Sequence, residues 1–212
     1  MAITLLLTAL SLVFGFILGI VLALGRVYGN RLISWICIGY IEIIRGTPLL
    51  VQLFILYFGF PSLGIRLTPL EAAIIGLSLN SGAYQAEYLR GSIQSIESGQ
   101  MIAARTLGMN TIKSIRNIIL PQALRISIPA WSNELIYLLK YTSIAYIIQV
   151  EELTAEGKFI AAHTFRYLEI FTIIAVIYLL LTVVFTEIID KVDKKFSIPG
   201  IGAAKGIRLR NA

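Results

Sequence analysis

Apolar and polar positions along this chain fall into long uninterrupted runs rather than the short alternations of a soluble fold. The first run, Ile3 to Leu24, carries no charge. It exceeds the roughly 20 residues that cross a ~30 Å hydrocarbon core as a helix, so it predicts a first membrane span. No basic stretch precedes it, and it outruns the ~7–15-residue apolar core of a secretory signal, so it is read as retained. A second apolar stretch, Leu32 to Phe60, is too long for one straight crossing and is interrupted by "RGTP" at Arg45 to Pro48. Pro48 disfavours helical geometry at Thr47. A helix, a break and a second helix reaching the outer face near Pro61 are therefore expected. Further spans are predicted over Leu70–Leu89, Ile126–Val150 and Ile170–Ile189, which makes five in all.

Charge then gives these spans a direction. Arg26, Arg31, Arg90, Arg105, Lys113, Arg116 and Arg125 fall on one side of the predicted layer, together with Lys191, Lys194, Lys195, Lys205, Arg208 and Arg210 of the tail. Only Arg66, Lys158 and Arg166 fall on the other side. Basic loops stay in the cytoplasm, so the N-terminus is expected outside and the C-terminus inside. The result is a single membrane domain over residues 1–212. It has a cytoplasmic loop at about residues 91–125, an external loop at about 151–168 and a basic cytoplasmic tail at about 190–212.

Composition agrees with this reading, since 57% of the residues are hydrophobic and only 14% are charged, where a soluble domain carries about 25%. The net charge of +6 is spread over the loops of a membrane protein and does not form a nucleic-acid patch. The lone Cys37 sits in an apolar run and reads as an inert buried thiol. Trp35 and Trp131 read as interfacial anchors, and His163 as an external surface residue. No metal-ligand cluster, cofactor motif or nucleophile–base pair is present. A phosphate-binding loop needs glycine directly before its lysine. Ile112 precedes Lys113, so the chain has no ATPase site of its own.

Ionisable groups inside spans are costly and default to function. Glu87, Glu134 and Lys140 lie within or close to predicted spans. Asn80, Tyr84 and Glu87 stand at i, i+4 and i+7, hence on one helix face, with Ser81 beside them. Asn133, Tyr137, Lys140 and Ile144 share a face of the next span, and Glu134 shares another with Tyr141 and Ala145. Glu134 and Lys140 are not at a pairing distance along one helix, so their partners lie on other helices, in water or on a substrate. A carboxylate and an ammonium lining one cavity suit a zwitterion, and Thr142 and Ser143 offer hydroxyls beside them.

The polar segment "GQMIAARTLGMNTIKSIRNIILPQALR" remains to be placed. Gln100 to Leu107 predicts a short helix, with Gly108 where a left-handed C-cap is wanted. Asn110 or Thr111 is placed to cap a second helix whose Ile112, Ile115 and Ile119 share a face, and Pro121 is expected to end or kink it. The segment resembles the cytoplasmic EAA loop of permease subunits of bacterial and archaeal ABC importers: Ala103, Ala104 and Gly108, then a nine-residue gap to Ile118, Leu120 and Pro121. "IEIIRGTPLLVQL", "NSGAYQAEYLRGSIQSIESGQ" and "NELIYLLKYTSI" are similar to the polar amino acid branch. Two departures stand out. Ile102 replaces the motif's glutamate, and the chain starts late, so that either the true start lies upstream or a lead-in helix is dispensed with.

The resemblance implies an all-α integral membrane protein of the type I importer permease kind, in a prokaryotic cytoplasmic membrane. It implies a dimer with a second permease, same or sister chain. Cytoplasmic ATP-binding-cassette ATPase subunits would be met by Gln100, Ile102, Ala103, Ala104, Arg105, Leu107 and Gly108, and an external substrate-binding protein would deliver a polar amino acid. Asn80, Ser81, Tyr84, Glu87, Glu134, Lys140, Thr142 and Ser143 are the candidate substrate residues. An ion-coupled secondary transporter or channel is the alternative, and it would have no need of the docking segment.

Overall fold

The computed structural model describes the backbone of residues 1–196 and the side chains of residues 1–191. Within them every regular element is helical. Most of the expected basic tail lies outside the described residues.

Helix α1 (Ala2–Tyr28) buries Thr4, Leu7, Thr8, Ser11, Gly15, Gly19, Leu22 and Ala23 on one stripe. The stripe packs along α4 (Pro69–Ser95), the most extensive helix pair in the molecule. Lipid tails are as apolar as leucine, so helices in a bilayer gain from close fit, and small residues permit it. A Cβ added at Gly15 would lie 3.1 Å from the backbone nitrogen of Gly82, and one at Gly19 3.2 Å from that of Ala86. The start of α4 is fixed by a reciprocal cap, in which Thr68 and Glu71 satisfy each other's backbone N–H, and by Pro69 in its first turn.

Between α1 and α4 run α2 (Arg31–Gly46) and α3 (Leu49–Phe54), the latter continuing through a π turn and a 3₁₀ turn to Leu63. The Asn30 side chain caps α2 by accepting from Ile33 N–H at 2.9 Å. The expected break falls at Thr47 and Pro48, and the chain turns there by 104°. Gln52 closes the corner: its Nε2 donates to the Ile44 and Thr47 carbonyls at 2.7 and 3.1 Å, and its Oε1 accepts from Asn80 Nδ2 at 3.1 Å. These bonds satisfy two backbone oxygens that the break in the helix leaves without an N–H partner.

The polar segment forms α5 (Ser98–Thr106), then a turn in which Gly108 takes φ +80°. Gly108 N–H donates to Arg105 O, and Met109 N–H to Ala104 O, the paired bonds that satisfy the last carbonyls of a helix. Asn110 caps α6 (Thr111–Ser114) by accepting from Lys113 N–H at 2.9 Å. Pro121 does not end the helix that begins at Thr111. A π turn over Ile115–Ile119 leads directly into α7 (Leu120–Tyr141), where Pro121 stands in the first turn and its missing N–H is tolerated. A 3₁₀ stretch (Thr142–Ile148) follows.

One further sequence expectation is corrected. Trp131 is no interfacial anchor: its indole Nε1 is buried without a partner, and its ring meets Phe16 of α1 edge-on at 4.6 Å. The stretch expected as an external loop is largely helix α8 (Leu153–Thr164), which packs on α9 (Tyr167–Phe196). The Glu152 carboxylate, fully buried, caps α8 through Ala155 N–H and accepts from Tyr178 OH of α9 at 2.9 Å. Trp35 is exposed and Cys37 is buried, both as expected.

Candidate functional site

Two apolar clusters divide the bundle. One gathers Leu7, Leu53, Leu77, Leu138 and Ile148, and the other Leu22, Ile41, Ala86, Leu89 and Ala123. Between them, at mid-height on α1 and α4, lies a polar layer. Gln85 of α4 donates to the Leu12 carbonyl of α1 at 3.3 Å and to Ser81 Oγ at 2.9 Å. Ser81 Oγ donates to Glu134 Oε1 of α7 at 2.6 Å, and Tyr88 OH donates to Glu134 Oε2 at 3.3 Å. Glu134 is only 6% exposed. This chain of bonds ties three helices together around one carboxylate.

A cavity of about 270 Å³ opens beside it, lined by Tyr84, Tyr88, Glu134, Tyr137 and Tyr141. Tyr137 and Tyr141 stack with centroids 6.3 Å apart. Lys140 Nζ stands 4.8 Å from the Tyr137 ring centroid, and the Arg45 guanidinium carbon 5.2 Å from that of Tyr84. Both cations hold aromatic faces and neither belongs to the cavity lining.

The candidate residues separate accordingly. Ser81, Tyr84 and Glu134 come together at the cavity. Glu87 turns away from it into a cluster with Arg26 at 2.5 Å, Arg90 at 2.9 Å and Arg45 at 3.6 Å. Asn80 faces Gln52 at the corner between α2 and α3. Thr142 is buried with its hydroxyl on the Leu139 carbonyl, and the Ser143 hydroxyl bonds the Lys140 carbonyl, both within their own turn. Tyr88 was not among the candidates, although it stands at i+7 from Ser81 and i+4 from Tyr84, and that face was legible. Gln52, Gln85 and Arg45 carried no signal that spacing alone reveals.

At the other end of the molecule, α5 presents its surface outward. Ala104 is buried, whereas Gln100, Ala103, Arg105, Ile102, Leu107 and, beyond the turn, Ile112 are exposed. Ile102, at the position where the EAA pattern has a carboxylate, is itself exposed.

Small-residue packing, a broken second helix, a polar mid-layer and a punctuated surface helix define a helical membrane-transport component. Residues 15–198 match the family of binding-protein-dependent transport system inner membrane components, and the chain belongs to that family. It is 42% identical over 191 residues to the probable amino-acid ABC transporter permease protein YckA of Bacillus subtilis (strain 168), covering 89% of this chain and 84% of that one. To the glutamine transport system permease protein GlnP of Escherichia coli (strain K12) it is 38% identical over 197 residues, 92% of this chain and 90% of that one. Among solved structures, an amino acid ABC transporter with histidines aligns at a TM-score of 0.84 and 37% identity, covering 92% of this chain and 91% of the other. The recognition made from the loop, and the all-helical importer-permease fold it implied, are borne out.

Proposed function

We propose that this chain is the alternating-access subunit of an ATP-driven importer of polar amino acids. It works as a pair of permeases, crosses the membrane five times with its N-terminus outside, and receives substrate from an external binding protein. Two ATPase subunits dock on the α5 surface and supply the hydrolysis, so this chain performs no catalysis and needs no cofactor. The observation that carries the reading is Glu134, a buried carboxylate held by Ser81 and Tyr88 beside a cavity at mid-height of the bundle. Ionisable groups at that depth mark substrate paths.

The helical path supports coupling between the two ends. From Thr111 the chain runs through α6 and the π turn into α7 without a non-helical residue. Glu134 therefore sits about 35 Å along the same helical path from Thr111, with Pro129 inside α7 on the way. When ATP draws the ATPases together, α5 moves with them and the helical path carries α7 against α4, opening the cavity outward; hydrolysis resets it. Substrate contact narrows to Ser81, Tyr84 and Glu134, with Lys140 at the rim. Glu87, Asn80, Thr142 and Ser143 support the frame.

The test is uptake of labelled polar amino acids into vesicles that hold the purified permease–ATPase assembly, with its binding protein outside. Uptake that requires ATP inside the ATPase-facing compartment and ignores an uncoupler supports the reading. Uptake that survives without ATP and collapses with an uncoupler establishes an ion-coupled carrier instead.

A further inference from the structure

Within that proposed import function, the charge inventory of the cavity selects among amino acids. Glu134 is the one charged residue in the lining, and tyrosines make up the rest of it. Its two oxygens accept from hydroxyls alone, Ser81 and Tyr88. Among the described residues no Lys, Arg or His comes within salt-bridge distance of it, whereas Glu87, one face away on α4, is surrounded by guanidinium groups. The molecule thus treats two carboxylates in opposite ways. One is neutralised by its own side chains, and the other is left facing a cavity.

Aromatic rings complete the arrangement. A tyrosine face attracts cations through its quadrupole, and this structure already uses two of the lining rings that way, with Arg45 over Tyr84 and Lys140 over Tyr137. Those two cations stand outside the lining: the Arg45 side chain lies 3.6 Å from Glu87 and is 36% exposed, and Lys140 is exposed. Neither comes within salt-bridge distance of Glu134.

We infer that the cavity takes amino acids with a cationic side chain, a guanidinium or an ammonium, in preference to neutral or acidic ones. A neutral amino acid brings one ammonium and one carboxylate, so with Glu134 the filled cavity carries a net negative charge in a poorly solvated site. A cationic amino acid brings one more positive charge, and the filled cavity is neutral. Its side-chain cation lies on Glu134 between the tyrosine rings, and its carboxylate takes hydroxyl donors from the lining tyrosines. An acidic amino acid adds a second unpaired negative charge and is refused.

The external binding protein would impose its own selectivity, so the binding titration leaves it out. The permease–ATPase assembly in lipid nanodiscs is titrated with radiolabelled L-arginine, L-lysine, L-glutamine and L-glutamate, and ATP-driven uptake of the same four, with the binding protein supplied outside, is measured separately in vesicles. Arginine and lysine should bind at least about thirtyfold more tightly than glutamine, the scale on which a desolvated charge pair is lost, and glutamate should not bind. Glu134→Gln, which keeps the shape and the acceptor oxygen, should bring arginine down to the glutamine level. The wild-type comparison decides the matter even where that variant fails to assemble. Equal binding of glutamine and arginine overturns the inference, as does failure of arginine to bind an assembly that takes up another amino acid. Absence of ATP-driven uptake of any amino acid removes instead the import reading on which the inference rests.

Discussion

Glu87 and Glu134 show what a single carboxylate owes to its neighbours. Both were visible in the sequence as ionisable residues inside spans, and helical spacing correctly set Asn80, Tyr84 and Glu87 on one face. Spacing does not say which helix that face meets. The fold turns Asn80 and Glu87 toward α2 and α3 and leaves Ser81 and Tyr88 toward α7, with Tyr84 between. Only the assembled neighbours distinguish a structural ion cluster from a cavity group. Replacing Glu87 by Gln leaves Arg26, Arg45 and Arg90 gathered around a neutral amide, because Glu42 is mostly exposed and 4.0 Å from Arg26. The expected cost is about 1–3 kcal/mol, between the values for exposed and buried pairs. It should be read as a lower thermal midpoint of the purified assembly, with substrate affinity unchanged in what remains folded. Glu134→Gln should do the reverse. Should Glu87→Gln instead weaken substrate binding while stability holds, the two roles have been assigned the wrong way round.

Elements were easiest to read where local chemistry decides them. Gly108 stands at φ +80° with both carbonyl-capping bonds formed, and Asn110 caps the next helix, as the residues alone indicated. The break at Pro48 was equally plain, but its 104° turn was not, because it depends on Gln52 reaching back to Ile44 and across to Asn80. Pro121 misled for a related reason: a π turn just before it absorbs the lost hydrogen bond, and nothing in the residue types announces a π turn. Two outcomes follow at this scale. Gln52→Leu keeps the volume but leaves the Ile44 and Thr47 carbonyls without the Gln52 donor. It should destabilise the assembly by about 1–3 kcal/mol, seen as a lower thermal midpoint, and a midpoint equal to wild type would show that water or a neighbour takes over. Gly108→Val forces a β-branched residue into a left-handed turn, a strain of about 1–3 kcal/mol in open space where no clash competes with it. Stimulation of ATP hydrolysis by the binding protein should fall several-fold with basal hydrolysis retained. Undiminished stimulation would mean that the turn's shape does not matter to coupling.

For the molecule as a whole, the question is how many times the chain crosses the membrane. By length and composition two helices qualify outright, Ala2–Tyr28 and Tyr167–Lys191, and the bent pair Arg31–Gly46 with Leu49–Leu63 makes a third. Helices α4 and α7, of 27 and 22 residues, do not qualify. They are also the helices that bury Asn80, Ser81, Gln85 and Glu134. A helix that builds a polar mid-layer against its neighbours dilutes its own apolar signal, so in the proposed five-span topology length and composition pick out α1 and α9 and miss α4 and α7. The charge pattern does not share that weakness, because it counts loop residues and not span residues. It puts the α5–α6 turn inside and α8 outside, and that is open to direct measurement. Single cysteines at Lys113 and Glu156, both exposed, report the two sides in a background where the buried Cys37 is replaced by Ala. A membrane-impermeant maleimide applied to intact cells should label Glu156→Cys and leave Lys113→Cys untouched until the membrane is opened. The site argument requires that outcome, since in the proposed topology α4 and α7 carry the chain from one side to the other through the polar layer. Labelling of Lys113→Cys from outside would take the coupling surface away from the ATPases and with it the whole import mechanism. Protection of Glu156→Cys in intact cells, followed by labelling in opened ones, would leave α7 without a crossing and put Glu134 at a surface instead of in a path.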